Sequence, residues 1–184
     1  MLEAFLVSTG VVALAEMGDK TQLLALLLAG RYRRPVPIIL GIAIATLLNH
    51  AIAGAFGSWL ATLVGPGVLR WLLAASFAGM GAWMLFPDGP SDFEGSKRLG
   101  VFATSTLAFF LVEFGDKTQI ATVALAANYA SLAAVVAGTT LGMLIANAPV
   151  VYAGEALLRR LPMKILQRVA AAAFVALGAL ALLA

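Results

Sequence analysis

Glu16-Met17-Gly18-Asp19-Lys20-Thr21-Gln22 lies in the middle of an apolar stretch, and Glu113-Phe114-Gly115-Asp116-Lys117-Thr118-Gln119 repeats it later in the chain. Residues 4–15 and 23–30 flank the first copy, 101–112 and 120–127 the second, and both flanks are poor in polar side chains. Each run is long enough to span a bilayer, which puts both motifs near its midplane. A charge at that depth costs roughly 2.5–3.5 kcal/mol on insertion scales, so six unpaired charges would cost on the order of 15–20 kcal/mol. Folding alone does not demand such a cost. The motif reads as the working site.

Composition places the rest of the chain in the same solvent. The 184 residues are 62% hydrophobic and 11% charged, with a mean hydropathy of +0.99. Soluble domains are far more charged. The net charge of +3 does not point to nucleic acid, because the basic residues border apolar runs and form no aromatic-interleaved patch. The absence of cysteine excludes disulfides and thiolate metal sites, and one histidine cannot build a histidine-rich zinc site. Met1-Leu2-Glu3-Ala4 lacks the basic start of a cleavable signal peptide, so the first apolar run reads as a retained span.

Six apolar segments are expected as spans: residues 2–28, 37–64, 68–86, 101–127, 132–158 and 165–183. Gly, Pro and Arg punctuation separates them. Helices satisfy every backbone group in lipid, and the alternation of a β-barrel is missing. The expected fold class is therefore an all-α integral membrane protein with six transmembrane helices.

The repeat reaches beyond the motif. Shifting the chain by 97 residues lays 1–87 on 98–184 without a gap. Phe5 meets Phe102, Ser8-Thr9 meets Ser105-Thr106, Tyr32 meets Tyr129, Gly41 meets Gly138, Phe77 meets Phe174 and Gly81 meets Gly178. Three spans per half force the second half to enter the membrane upside down, the inverted-repeat plan of secondary transporters. The expected division is a first three-helix repeat over 1–87, a cytoplasmic linker over 88–97 and an inverted repeat over 98–184. Lys and Arg set the orientation. Arg31, Arg33, Arg34, Lys97, Arg98, Arg159, Arg160, Lys164 and Arg168 fall on one face and Arg70 alone on the other. The basic face is expected in the cytoplasm, with both termini outside. The linker acids Asp88, Asp92 and Glu94 read as a solvated loop.

On a continuous helix, Glu16, Asp19 and Lys20 share one face, with Thr9 and Ser8 stacked a few turns away. Thr106, Ser105, Glu113 and Asp116 repeat the pattern. Gly18 and Gly115 can bend or unwind each helix and offer carbonyls to a ligand. A two-fold relation brings Glu16, Asp19, Glu113 and Asp116 onto one axis, as an oxygen site for a hard divalent cation such as Mn2+, Ca2+ or Mg2+. Lys20, Thr21, Gln22, Lys117, Thr118 and Gln119 support it. Ser8, Thr9, Ser105, Thr106, Asn49, His50 and Asn147 are pathway candidates. For Asn49, His50, Asn147, Thr139, Thr140 and Glu155, interhelical hydrogen bonding is an equal alternative. A local ion pair at Glu16–Lys20 and Glu113–Lys117 spacing is the plainer reading of the motif. It leaves both aspartates unpaired and does not explain the duplication.

Two copies of E-x-G-D-K-T, three spans apart, resemble the signature of the GDT family of cation transporters in the lysine-exporter superfamily. That family includes Golgi calcium/manganese transporters of eukaryotes and manganese exporters of bacteria. The resemblance covers essentially the whole chain, with no departure in either motif. It implies exchange of Mn2+ or Ca2+ against protons, with essential acids at Glu16, Asp19, Glu113 and Asp116 and with Lys20, Thr21, Lys117 and Thr118 completing the motif. A short chain without a Golgi-targeting extension looks like a prokaryotic member, for which manganese export across the inner (plasma) membrane is expected. The implied partners are a divalent cation, protons and the lipid bilayer. No enzymatic activity, no cofactor and no nucleic acid are expected, and no oligomeric state is indicated. Two other classes stay open: a cation channel and a cationic amino-acid exporter. The channel lacks a filter-like loop, and the motif lysines oppose a cationic amine.

Overall fold

The computed structural model describes residues 1–86, 99–154 and 162–183. Among them the chain is helical, with no strand: α1 (Leu2–Glu16), α2 (Lys20–Tyr32), α3 (Pro35–Leu63), α4 (Pro66–Trp83), α5 (Val101–Glu113), α6 (Lys117–Asn128), α7 (Leu132–Ala153) and α8 (Met163–Leu183). The expected linker 88–97, the residues Arg98, Arg159 and Arg160, and Glu155 lie outside the described residues. Pro35 and Pro66 open α3 and α4, where a missing backbone N–H costs nothing. Arg33, left-handed at φ 52°, closes α2 by donating its N–H to Ala29 O.

The structure departs from the sequence expectation at the first and fourth segments. Residues 2–28 and 101–127 are not continuous helices; each breaks inside its motif into two half-helices. Glu16, Asp19 and Lys20 therefore do not share one helical face, and Glu16–Lys20 is not a helical i, i+4 pair. The reason is local. Gly18 and Gly115 adopt φ of +86° and +79°, a region that ends a right-handed helix and favours glycine. Three helices, Pro35–Leu63, Leu132–Ala153 and residues 164–183, are each long and apolar enough to cross a membrane by length and composition.

Burial is inverted relative to a water-soluble protein. Along α3, Leu40, Ile44, Leu48, Ile52, Phe56 and Trp59 are exposed, while Thr46, Asn49 and His50 are buried. Lipid is the solvent in which that partition is favourable.

The helices pack as α1 on α7, α3 on α5 and α6, and α4 on α8. Small residues bring the backbones together, as they do where lipid removes the hydrophobic drive between helices. A Cβ on Gly138 would fall 2.5 Å from Phe5 O, and one on Gly41 would fall 3.0 Å from Phe102 O. These two contacts are related by the 97-residue offset. So are two others: a Cβ on Gly81 would lie 3.0 Å from Ala171 O, and one on Gly178 3.1 Å from Ala74 O. The rings of Phe77 and Phe174, also offset partners, sit 6.3 Å apart between α4 and α8.

Candidate metal centre

Each motif builds the same corner. Glu16 is the last residue of α1, Met17 is extended, Gly18 turns the chain, and Asp19 caps the N-terminus of α2. Glu113, Phe114, Gly115 and Asp116 do the same between α5 and α6. Hydrogen bonds lock the turns. Asp19 N donates to Glu16 O at 3.1 Å, and Asp116 N to Glu113 O at 3.1 Å. Gly18 N donates to Gln22 Oε1 at 2.8 Å, and Gly115 N to Gln119 Oε1 at 2.6 Å. Gln22 Nε2 also donates to Ala146 O at 2.9 Å, tying the first corner to α7.

The two corners meet. One carboxylate oxygen from each of Glu16, Asp19, Glu113 and Asp116 lies within 4.8 Å of the other three, and all four residues are buried. Thr21 Oγ1 donates to Glu16 Oε2 at 2.5 Å, and Thr118 Oγ1 to Glu113 Oε2 at 3.0 Å. The opposite oxygens, Glu16 Oε1 and Glu113 Oε1, have no hydrogen-bond partner among the described residues, and neither has Asp116 Oδ2. Buried carboxylate oxygens left in that condition are costly. Acidic oxygens converging this closely suit a hard divalent cation. The half-helix ends reinforce the arrangement, because the N-termini of α2 and α6 carry positive dipole ends and α1 and α5 present their last carbonyls.

The lysines cross over. Lys20 Nζ lies 2.7 Å from Asp116 Oδ1, and Lys117 Nζ lies 2.7 Å from Asp19 Oδ1. Each motif thus supplies the cation that faces the other motif's aspartate. Nothing in the sequence distinguishes this pairing from a local one with Glu16 or Glu113.

The remaining candidates fall around this centre or in the helix seams. Asn49 Nδ2 donates to Phe110 O at 3.0 Å, one turn before Glu113. Asn147 Nδ2 donates within its own helix to Met143 O at 3.1 Å. His50 is fully buried on α3. Ser8 and Ser105 are buried where Gly138 and Gly41 press on α1 and α5. Thr9 and Thr106 turn their hydroxyls back to Phe5 O and Phe102 O. Thr139 bonds Val136 O. Sequence reading passed over Thr122, a buried hydroxyl that donates to Thr118 O at 2.8 Å, one helical turn beyond the second motif; its place on the motif face at i+4 was the available signal.

The family model "Divalent cation/proton antiporter GDT1" matches residues 4–92 and 101–184. A Vibrio cholerae protein described as "Putative manganese exporter" is 48% identical over 175 residues, covering 95% of this chain and 88% of that protein. A GDT1-like protein of Synechocystis is 30% identical over 153 residues, covering 70% of this chain and 72% of the relative. A GDT1-like protein of rice is 24% identical over 184 residues, covering 85% and 65%. No solved structure matches the chain. The chain belongs to the divalent cation/proton antiporter GDT1 family. It is a multi-pass membrane transporter and not an enzyme.

Proposed function

We propose that this protein exports Mn2+ in exchange for protons, through one site at the membrane midplane built from both motifs. The observation that carries this reading is the convergence of four buried carboxylates, two from each motif, within 4.8 Å. Manganese takes precedence over calcium because the Vibrio relative is described as a manganese exporter, and an oxygen-only site accepts either ion.

The reading includes a membrane arrangement. Two inverted three-helix repeats, 1–87 and 98–184, enclose the site, with the linker in the cytoplasm and both termini outside. Contacts related by the 97-residue offset support the two-fold relation. The Lys and Arg bias supports the orientation in a bacterial inner membrane.

Charge supplies the coupling. Four ionised acids carry −4 and two ammoniums return +2, leaving −2 in a low-dielectric site. One divalent cation neutralises it, and so do two protons. A site that crosses the membrane only when neutral exchanges one load for the other. The lysines that face the aspartates oppose a cationic amino acid as substrate.

Purified protein in liposomes provides the test. An imposed pH gradient drives Mn2+ accumulation against its own gradient, and collapsing the pH gradient with nigericin stops it. Accumulation that continues unchanged after the collapse would rule out proton exchange.

A further inference from the structure

Lys20 and Lys117 occupy an electrostatically awkward position. Each is the first residue of a helix, immediately after the capping aspartate. A cation at a helix N-terminus is disfavoured by the backbone dipole. Neither lysine reaches back to its own helix's cap for its close ion pair. Each crosses to the aspartate of the other motif, at 2.7 Å in both cases. The two contacts are reciprocal and involve the aspartates, while the glutamates are held by threonine hydroxyls.

A primary ammonium at that distance occupies the space that a metal ion would need on the same oxygen. Metal–oxygen bonds of a hard divalent cation are about 2.0–2.6 Å long. An ammonium 2.7 Å from Asp116 Oδ1 and a dication bound to that oxygen would stand close together with like charge, in a site with little water to screen them. From this geometry we infer that Lys20 and Lys117 are tethered competitors of the transported cation. Coordination by Asp116 Oδ1 and Asp19 Oδ1 requires each ammonium to swing away, and its return helps expel the metal. The ammoniums weaken binding so that the ion can leave, and they neutralise the aspartates between loads. The arrangement also discriminates by charge, because a monovalent ion gains no more from an aspartate than the ammonium it must displace.

The two pairs are unequal. The Lys20 side chain is 22% exposed and that of Lys117 5%. Phe114 and Gly115, beside Asp116, are also exposed. Lys20 is thus the less enclosed of the two ammoniums.

The inference rests on the shared-site reading, and its test separates the two. Mn2+ affinity is measured on the purified full-length protein by equilibrium binding, and transport in liposomes gives KM and kcat. Lys20→Met, of similar length and without charge, binds Mn2+ tighter by about tenfold or more, the lower end of what close interfacial charge pairs contribute. Its KM and kcat fall together, because release slows. Lys20→Arg keeps the charge and stays near the parent affinity. A purely structural ion pair predicts the opposite, with Lys20→Met weakening binding as the site loosens, and that result overturns the inference. A second measurement needs no variant. Amine-reactive labelling of Lys20 in the unaltered protein, read by mass spectrometry, accelerates on adding saturating Mn2+, because the ammonium leaves Asp116. Labelling that is unchanged or slowed overturns the inference even if Lys20→Met fails to fold. If the unaltered protein binds no Mn2+ at all, the shared-site reading has failed instead.

Discussion

Lys117 and Asp19 lie 2.7 Å apart, although one stands at the start of α6 and the other at the start of α2. The pair is nearly sealed from solvent, with side-chain exposures of 5% and 0%. Together with Lys20 and Asp116 it fastens the two motifs across the centre of the protein. On the proposed reading, stability and transport draw on the same side chains, and a variant series can pull them apart.

Asp19→Asn removes the charge facing Lys117 in a buried setting. Breaking a buried pair from one side costs about 3 kcal/mol or more. Thermal unfolding in detergent is expected to show a clear loss. Adding Lys117→Met to Asp19→Asn recovers most of the stability, because no buried charge is left behind, while Mn2+ transport stays absent. Recovery of transport in the double variant would show that Asp19 is not a ligand.

Gly115→Ala tests the corner itself. No atom lies within 4 Å of the position a Cβ would take, so the substitution meets no clash. It still places a side chain at φ +79°, at a cost of roughly 1–2 kcal/mol. The expected outcome is a folded protein with slowed transport, since relaxing the turn moves Glu113 and Asp116 relative to each other. Gly57→Ala behaves differently. Its Cβ would fall 2.2 Å from Val123 O, which forces α3 and α6 apart and lowers expression and melting temperature well before any effect on ion specificity can be read.

The duplicated heptapeptide and its 97-residue offset were legible without coordinates, because glycine, aromatic and polar identities stand out in an alanine- and leucine-rich chain. The clustering of Glu16, Asp19, Glu113 and Asp116 followed once a two-fold relation was assumed. The helix breaks were half legible. Gly18 and Gly115 permit a left-handed turn, yet a glycine inside an apolar run is equally compatible with an unbroken span. The crossed lysines were not legible, since Glu16–Lys20 spacing offers a helical pair of ordinary quality and only the broken backbone removes it. Asn49 could be marked as polar in an apolar helix, but its acceptor, Phe110 O, is a backbone atom of another helix that no side-chain pattern announces.

Topology can be checked with reporter fusions or single-cysteine accessibility at positions 92 and 184, both outside the described residues. An odd number of spans per half puts position 92 in the cytoplasm and position 184 outside. Finding both on one side would remove the inverted repeat from the proposed arrangement.

The charge count predicts a cycle that moves no net charge. At a fixed pH gradient, Mn2+ uptake into inverted vesicles is expected to be insensitive to voltage clamped with valinomycin and potassium. A steep dependence on voltage would mean that the exchanged loads differ in charge, as when other than two protons return for each Mn2+.

The shared site itself is tested most directly by an Mn2+ binding isotherm on purified protein, run in parallel on the parent chain, Asp19→Asn and Asp116→Asn. The account predicts one ion per chain for the parent and loss of that ion in each variant to a comparable degree, because each half contributes equally to one cluster. Binding that survives at parental affinity in either variant, with the protein folded, would contradict a site shared between the two motifs.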